Sequence, residues 1–407
     1  MNSLKAGKVL EQIRSKGFEV EIQNGVNLFV VNSIENFSDC WDEINTKGVL
    51  NSYAYLRSLE QSMPKGLKNF HCLIIENDLI RGFLQFQIKD FDLKESLNLH
   101  THNPNFFNNL FLRLQKASMR FIKHDLLILG NILLTGQYGI NLSDDLSFDE
   151  KLVLLNQCVE GFSEYMNKEK GFNIRSVLIK DFKSEQDQEI VLPHYLEFKV
   201  DPYMSMDIKW TTFDDYLAEL KSKYRVRYKR AVKKGSDVIV KELNLDSVIQ
   251  LKEEMFALYK QISTNVSFNL FDLNKDYFIK LKENLKEDIL INGLFFKGEL
   301  IAFYSLIYDA KGNYYDAHFL GYDMERNREK QTYLNMLYKM IEDSINKGVT
   351  NIHMSRTAME IKSSVGATGE NLFLLIKHRS RFINYLMSLV LSYYVPDNSW
   401  VPRSPFK

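Results

Sequence analysis

The segment MSRTAMEIKSSVGA, residues 354–367, concentrates side chains that could do chemistry. Arg356, Glu360 and Lys362 directly follow a strand-like run, which places them at its C-terminal edge, where open α/β sheets bind ligands. A helix starting near Thr357 would set Arg356 and Glu360 on one face, four residues apart, with Gly366 closing a short turn. The bland alternative is an exposed ion pair contributing a few tenths of a kcal/mol. The small-residue turn Ser-Ser-Val-Gly-Ala beside the charges favours binding. On the run Tyr314–Leu320, alternation puts Tyr314, Asp316, His318 and Leu320 on one face. An imidazole two residues from a carboxylate suits the deprotonation of an amine near neutral pH, although a lone strand histidine also serves structure alone. The loop that follows, GYDMERNREKQTY, offers Arg326, Arg328 and Lys330 and the backbone N–H groups of the next helix to a phosphate. A second glycine-bearing loop, Thr135-Gly136-Gln137-Tyr138-Gly139, permits close backbone approach or makes an ordinary turn.

The strongest charge feature is TTFDDYLAELKSKYRVRYKRAVKKG. Phe213, Tyr216, Leu217, Leu220, Tyr224, Tyr228 and Ala231 form one stripe at helical spacing, with Thr212 to cap the start and Gly235 to end it. The spacing therefore predicts a single helix over 213–234. Lys221, Lys223, Arg225, Arg227, Lys229, Arg230, Lys233 and Lys234 cover the rest of its circumference, and the last of them crowd the end that the helix dipole favours for cations. This is either a solvated face or a cradle for an anion: a phosphorylated cofactor, an acidic lipid surface, or RNA, whose bases Tyr224 and Tyr228 could stack.

These residues need elements to position them, and the order of elements repeats. HCLIIENDLIRGFLQFQIKD reads as two strands around Asn77-Asp78, and LFFKGELIAFYSLIYD as two around Lys297-Gly298-Glu299. Each hairpin is followed by a strand ending in a polar loop, an amphipathic helix (near 148–167 and 333–345), and a further strand led by Lys-Gly at Gly171 and Gly348. We read two related α/β units, residues 1–200 and 201–407, each a mixed sheet flanked by helices. A length of 407 residues, at ~150 residues per domain, agrees with that division.

Composition sets outer limits. Lys+Arg and Asp+Glu both number 52, so no global charge drives the chain onto nucleic acid or an anionic membrane. With 45% hydrophobic residues and 7 Pro, global disorder is excluded. Cys40, Cys72 and Cys158 never form a CxxC pair, which argues against a disulfide scaffold or cysteine-bound zinc and for a reducing compartment. No signal peptide is visible, and a cytoplasmic location is expected. The apolar stretch from Phe382 to Val395 is shorter than the roughly 20 residues that span a bilayer. P-loop, GxSxG, HExxH and full GxGxxG motifs are absent. His100 and His102 lack neighbouring ligands, so no metal is expected.

Taken together, the basic YRVRYKRAVKKG helix, the LFFKGELIAFYSLIYD hairpin, the helix TYLNMLYKMIEDSINKG, the RTAMEIKSSVGA turn and the GNILLTGQYG segment resemble the predicted N-acyltransferases of the GNAT superfamily that are built like the FemAB peptidyltransferases. The resemblance covers roughly residues 70–380. It implies two tandem GNAT-like units and a cleft where two strands splay, here 314–320 and 351–355. In such a cleft an amine attacks an acyl thioester or aminoacyl ester. It further implies acyl-CoA or an acyl-carrier protein as donor and a small-molecule or lipid amine as acceptor. His318 or Glu360 would act as base, with Arg356 beside them. Arg326, Arg328, Lys330 and Lys362 would hold the cofactor, and Arg225, Arg227, Tyr228 and Asp316 would contact substrate. The segment GYDMERNREKQT departs from the superfamily pattern Gln/Arg-x-x-Gly-x-Gly/Ala in having no glycine at the expected positions.

Two other functions compete with acyl transfer from a thioester. One is a transferase using aminoacyl-tRNA, with RNA on the basic helix. The other is a non-catalytic module of the same fold on an anionic membrane, for which IKHRSRFINYLMSLVLSYYV, basic and then apolar, offers an interfacial helix.

Overall fold

A computed structural model of the 407-residue chain describes residues 15–23, 25–38, 40–41, 48–77, 79–92, 123–182, 192–264, 270–391 and 400–407. Asp78 of the first hairpin turn and the His100/His102 stretch lie outside the described residues.

Alternating apolar and β-branched runs build β1 (Phe18–Glu21), β2 (Val26–Val31), β3 (Leu67–Glu76), β4 (Leu79–Asp92), β5 (Lys123–Leu129), β6 (Ile140–Leu142), β7 (Ile174–Phe182) and β8 (Leu196–Lys199). A second series follows: β9 (Tyr203–Asp207), β10 (Val238–Glu242), β11 (Ile289–Phe296), β12 (Glu299–Asp309), β13 (Tyr314–Tyr322), β14 (Asn351–His353) and β15 (Thr368–Glu370). The second series makes one sheet in the order β10-β11-β12-β13-β14-β9-β15. The first makes the other, in the order β1-β2-β3-β4-β5-β7-β16-β8 with β6 beside β4, and takes in β16 (Phe373–His378). Residues on both sides of position 200 therefore contribute to the first sheet.

The repeat is visible in the pairing. β3–β4 and β11–β12 are antiparallel hairpins, and each is extended by a third antiparallel strand, β5 or β13. That strand is in turn parallel to the one entered after a helix, β7 or β14. Parallel neighbours need such a crossover, and the helices supply it. Both sheets are thus mixed, and both are flanked by helices.

Named in chain order, the helices are α1 (Tyr53–Gln61), α2 (Phe148–Glu169), α3 (Phe213–Glu219), α4 (Ser222–Lys234), α5 (Leu245–Gln250), α6 (Lys252–Ser263), α7 (Tyr277–Leu285), α8 (Met324–Lys330), α9 (Thr332–Lys347), α10 (Met359–Ser363) and α11 (Arg381–Leu391). Ser147 and Glu150 form a capping box at the start of α2, and Thr212 with Asp215 does the same for α3. Gly348 ends α9 in the left-handed conformation at φ 75°.

The helix expected over 213–234 is two helices. Leu220 leaves helical geometry to pair with Phe406, so the chain is extended between α3 and α4. A tertiary partner overrides an unbroken helical stripe at this point.

Three cores result. One lies between the first sheet and α2 (Phe86, Val159, Phe162) and one between the second sheet and α9 (Tyr304, Leu337, Ile341). The third joins the two halves, combining Phe29, Trp41, Tyr55 and Leu178 with Tyr277, Leu281, Ile291 and Phe303. No helix among the described residues is long and apolar enough to cross a membrane. Helix α11 turns Phe382, Tyr385 and Leu386 outward, and residues 392–395 of the apolar stretch lie outside the described residues.

Candidate functional site

The parallel pairing of β13 with β14 covers only Tyr314–Asp316 against Asn351–His353. Beyond it β13 continues beside β12 to Tyr322. The segment that ends β14 stays with β9 instead, through Met354 N–H to Met204 O (2.7 Å) and Met204 N–H to Ser355 O (3.0 Å). The two strands part, in the place where the resemblance implies a cleft between 314–320 and 351–355.

Next to the parting, β13 is bulged. Tyr304 faces Leu320 and Leu306 faces Ala317, so Ser305 alone opposes His318 and Phe319. The Ser305 hydroxyl fills the gap by donating to Phe319 O (3.0 Å) and accepting from Phe319 N–H (3.2 Å). The bulge corrects the expected alternation. His318 and its neighbour Phe319 both pack on Tyr277, while Leu320 joins the core under α9.

His318 is not an open base. Its side chain is 1% exposed, its Nε2 lies 2.6 Å from the Tyr277 hydroxyl, and its Nδ1 lies 3.9 Å from the Asp316 carboxylate. The Tyr277 hydroxyl in turn meets that of Tyr55 at 3.3 Å, which carries the polar chain into the first half. Burial pushes the Tyr138, Tyr203 and Tyr277 phenols well up, and the nearby Asp316 charge adds to each. Asp316, expected as a substrate contact, is buried beside these tyrosines and does not line the cavity bordered by the basic helix.

Arg356 and Glu360 do not share a helix face. Helix α10 begins only at Met359, because Ser355, Thr357 and Ala358 all have positive φ, at 59°, 69° and 48°. Such left-handed non-glycine residues cost on the order of 1–3 kcal/mol each and persist where surroundings fix them. Here the first half does the fixing. Ser355 Oγ is 2.7 Å from Thr135 Oγ1, and Arg356 is ion-paired with the fully buried Asp181, which also takes Lys180 and the Gly136 N–H (2.9 Å). Burial lowers the Arg356 pKa to about 10.

Lys362 is buried as well. Its Nζ donates to Met354 O and Arg356 O, each at 2.5 Å, and burial lowers its pKa to about 7. It holds the end of β14 in place, so the phosphate-binding role expected of it is corrected.

Glu360 faces away from Arg356, toward Arg403 (3.2 Å) and the Val401 N–H (3.4 Å). These bonds keep its carboxyl below the ordinary range. A general base near pH 7 needs the opposite shift, and the structure brings Glu360 to Arg403 rather than to His318 or Arg356.

On the α9 side of the second sheet lies a cavity of about 670 Å³. Lys223, Arg227 and Arg230, at i, i+4 and i+7 on α4, form a basic stripe along it, joined by Arg403, Glu360 and Gln331, the residue that precedes α9. Tyr224 and Ala231, the buried residues of α4, line the same cavity beside the stripe.

The remaining predicted residues separate. Arg227 lines the cavity, but Arg225 donates to Leu220 O (2.6 Å) and Ala218 O (3.3 Å), closing the end of α3. Tyr228 packs edge-on against Phe213 and Tyr338 and borders a smaller cavity of about 290 Å³. The expected loop at 324–330 is helix α8. Its Lys330 is committed to Asp237 (2.8 Å) and Glu329 (3.0 Å), its Arg326 is paired with Glu329 (3.3 Å), and both cations lie over Phe296. Arg328 is exposed.

Sequence reasoning did not select Asp181, Lys180, Tyr277 or Arg403. The first two had a signal, two adjacent charges at the end of the apolar run Val177–Phe182. Among the described residues no group of three or more His, Cys, Asp or Glu is gathered as metal ligands would be.

No protein-family model and no curated protein matches the chain. Solved structures share its fold at low sequence identity. The chain is similar to FemX, at 11% identity over 82% of this chain and 93% of that one, with a TM-score of 0.47. A domain of a lysylphosphatidylglycerol synthetase from Agrobacterium fabrum is 9% identical over 91% of this chain and 100% of that one, at 0.48. A tandem GNAT protein of clavulanic acid biosynthesis is 8% identical over 87% and 99%, at 0.46.

Proposed function

We propose that the protein is an acyltransferase that moves an acyl group from a thioester donor, acyl-CoA or an acyl-carrier protein, to an amine. The observation that carries this reading is the stripe Lys223, Arg227 and Arg230 along a cavity of about 670 Å³, which is also lined by Gln331 at the start of α9 and by Glu360 and Ile361 of α10, the helix that follows β14. Guanidinium groups in such a stripe hold the phosphates of a donor by charge-assisted hydrogen bonds. β13 beyond Asp316 has lost its partner on the β14 side, so its amides border the place where a thioester carbonyl would develop negative charge. In the reaction the amine nitrogen forms a bond to the carbonyl carbon, the carbon–sulfur bond breaks, and the thiol leaves with a proton that the amine gives up.

The test is release of free thiol from a panel of acyl-CoAs with and without candidate amines. Amine-dependent release is expected, and Arg227→Ala and Arg230→Ala should each raise the donor KM about tenfold, the effect of losing one charge-assisted contact. Release that does not depend on these side chains would overturn the reading.

Lys229, Lys233 and Lys234 are exposed on the same helix, which supports an aminoacyl-tRNA donor as the second reading. It requires tRNA binding that falls steeply with salt.

A further inference from the structure

We propose that residues 400–407 complete the anion cavity, that Arg403 is one of its ligand-binding residues, and that Glu360 occupies the Arg403 guanidinium as an internal counter-anion which the ligand displaces. The proposal rests on reading the cavity as the donor's phosphate site.

The segment is anchored at several points. Lys221 N–H donates to Pro405 O (2.8 Å), Lys407 N–H to Glu219 O (3.1 Å), and Arg403 N–H to Ser363 Oγ (3.1 Å). The Phe406 ring packs against Trp210 and Tyr216, with centroids 5.2 and 6.0 Å apart. Gly366 makes room for it, since a Cβ there would come within 2.5 Å of the ring. This anchoring is also what interrupts the basic helix, so one contact both splits α3 from α4 and carries Arg403 to the cavity wall.

The charges around the cavity do not balance. Among its described lining residues, the cations Lys223, Arg227, Arg230 and Arg403 meet a single carboxylate, Glu360. Cations gathered along one cavity repel, and a ligand carrying more than one negative charge relieves that repulsion. Glu360 is suited to be displaced. It is half exposed, and its contacts with Arg403 and Val401 N–H are long, at 3.2 and 3.4 Å. The chemistry selected is a pyrophosphate or a pair of neighbouring phosphates.

Isothermal titration of the full chain with coenzyme A, and separately with inorganic pyrophosphate, tests this. The parent should bind both, each excluding the other. Arg403→Ala should weaken both about tenfold, with Arg403→Lys recovering part of the loss. Glu360→Gln keeps an acceptor for Val401 and Arg403 but removes the charge, and should tighten both about threefold or more. Unchanged binding in Arg403→Ala beside a loss in Arg227→Ala would overturn the proposal and leave the cavity reading standing. Weaker binding in Glu360→Gln would overturn the displacement. Failure of the parent to bind either ligand would remove the cavity reading and the proposal together.

Discussion

Asp181 answers two cations at once. It is fully buried and receives Lys180, Arg356 and the Gly136 N–H. Burial, with the Arg356 charge adding to it, pushes the Lys180 pKa well down. The arrangement makes the two ends of the ion pair unequal. Asp181→Asn takes from buried Arg356 its counter-charge and from Lys180 its carboxylate acceptor, whereas Arg356→Met leaves the Lys180–Asp181 contact intact. Breaking a buried pair by removing one partner costs ~3–5 kcal/mol, and Asp181→Asn should reach that range while Arg356→Met stays well below it. Urea unfolding of the two variants measures the difference, and an Arg356→Met loss equal to or larger than that of Asp181→Asn would refute the account.

At the scale of elements, the hairpins, the third strands and the helices after them were readable because apolar runs, turn residues and capping boxes all agree locally. Two features were not. The stripe from Phe213 to Ala231 holds helical spacing without a gap, and only pairing with Phe406, far along the chain, extends Leu220. The bulge opposite Ser305 likewise leaves no mark in the alternation of Tyr314–Leu320. For the same reason the candidate site was half legible. Arg227 could be chosen from its own helix, but the true partners of Arg356 and Glu360 come from Asp181 and Arg403, which no local pattern connects to them. Lys362 gives this region a pH signature. Its folded pKa is about 7, against ~10.4 in the unfolded chain. Between those values the unfolded chain binds more protons, so stability rises with pH. The advantage of the parent over Lys362→Met should therefore grow from pH 7 to pH 10, with a slope approaching ~1.4 kcal/mol per pH unit, and stay flat below pH 7. Urea midpoints at pH 6, 7 and 9 would show it, and a pH-independent difference would count against the buried amine.

The whole molecule is joined through its shared core. Tyr55 meets Tyr277, Ser58 Oγ donates to Lys280 O (3.1 Å), and Val49 N–H donates to the Asp309 carboxylate (2.6 Å), each contact linking the first half to the second. Halves stitched in this way should unfold together. Trp41 reports on the first half and Trp210 on the second, and both are buried. With the other two tryptophans replaced by phenylalanine, each single-tryptophan protein should show fluorescence and circular dichroism midpoints that coincide. Separate midpoints would mean two independent units.

The placement of β16 between β7 and β8 also sets an order in time. β8 has β16 as its ladder partner, and one edge of β7 stays open until β16 arrives. A ribosome making this protein must translate to residue 378 before the first sheet can close. Between the making of β7 and that of β16 the nascent chain carries an unpaired strand edge, the kind of surface that chaperones shield.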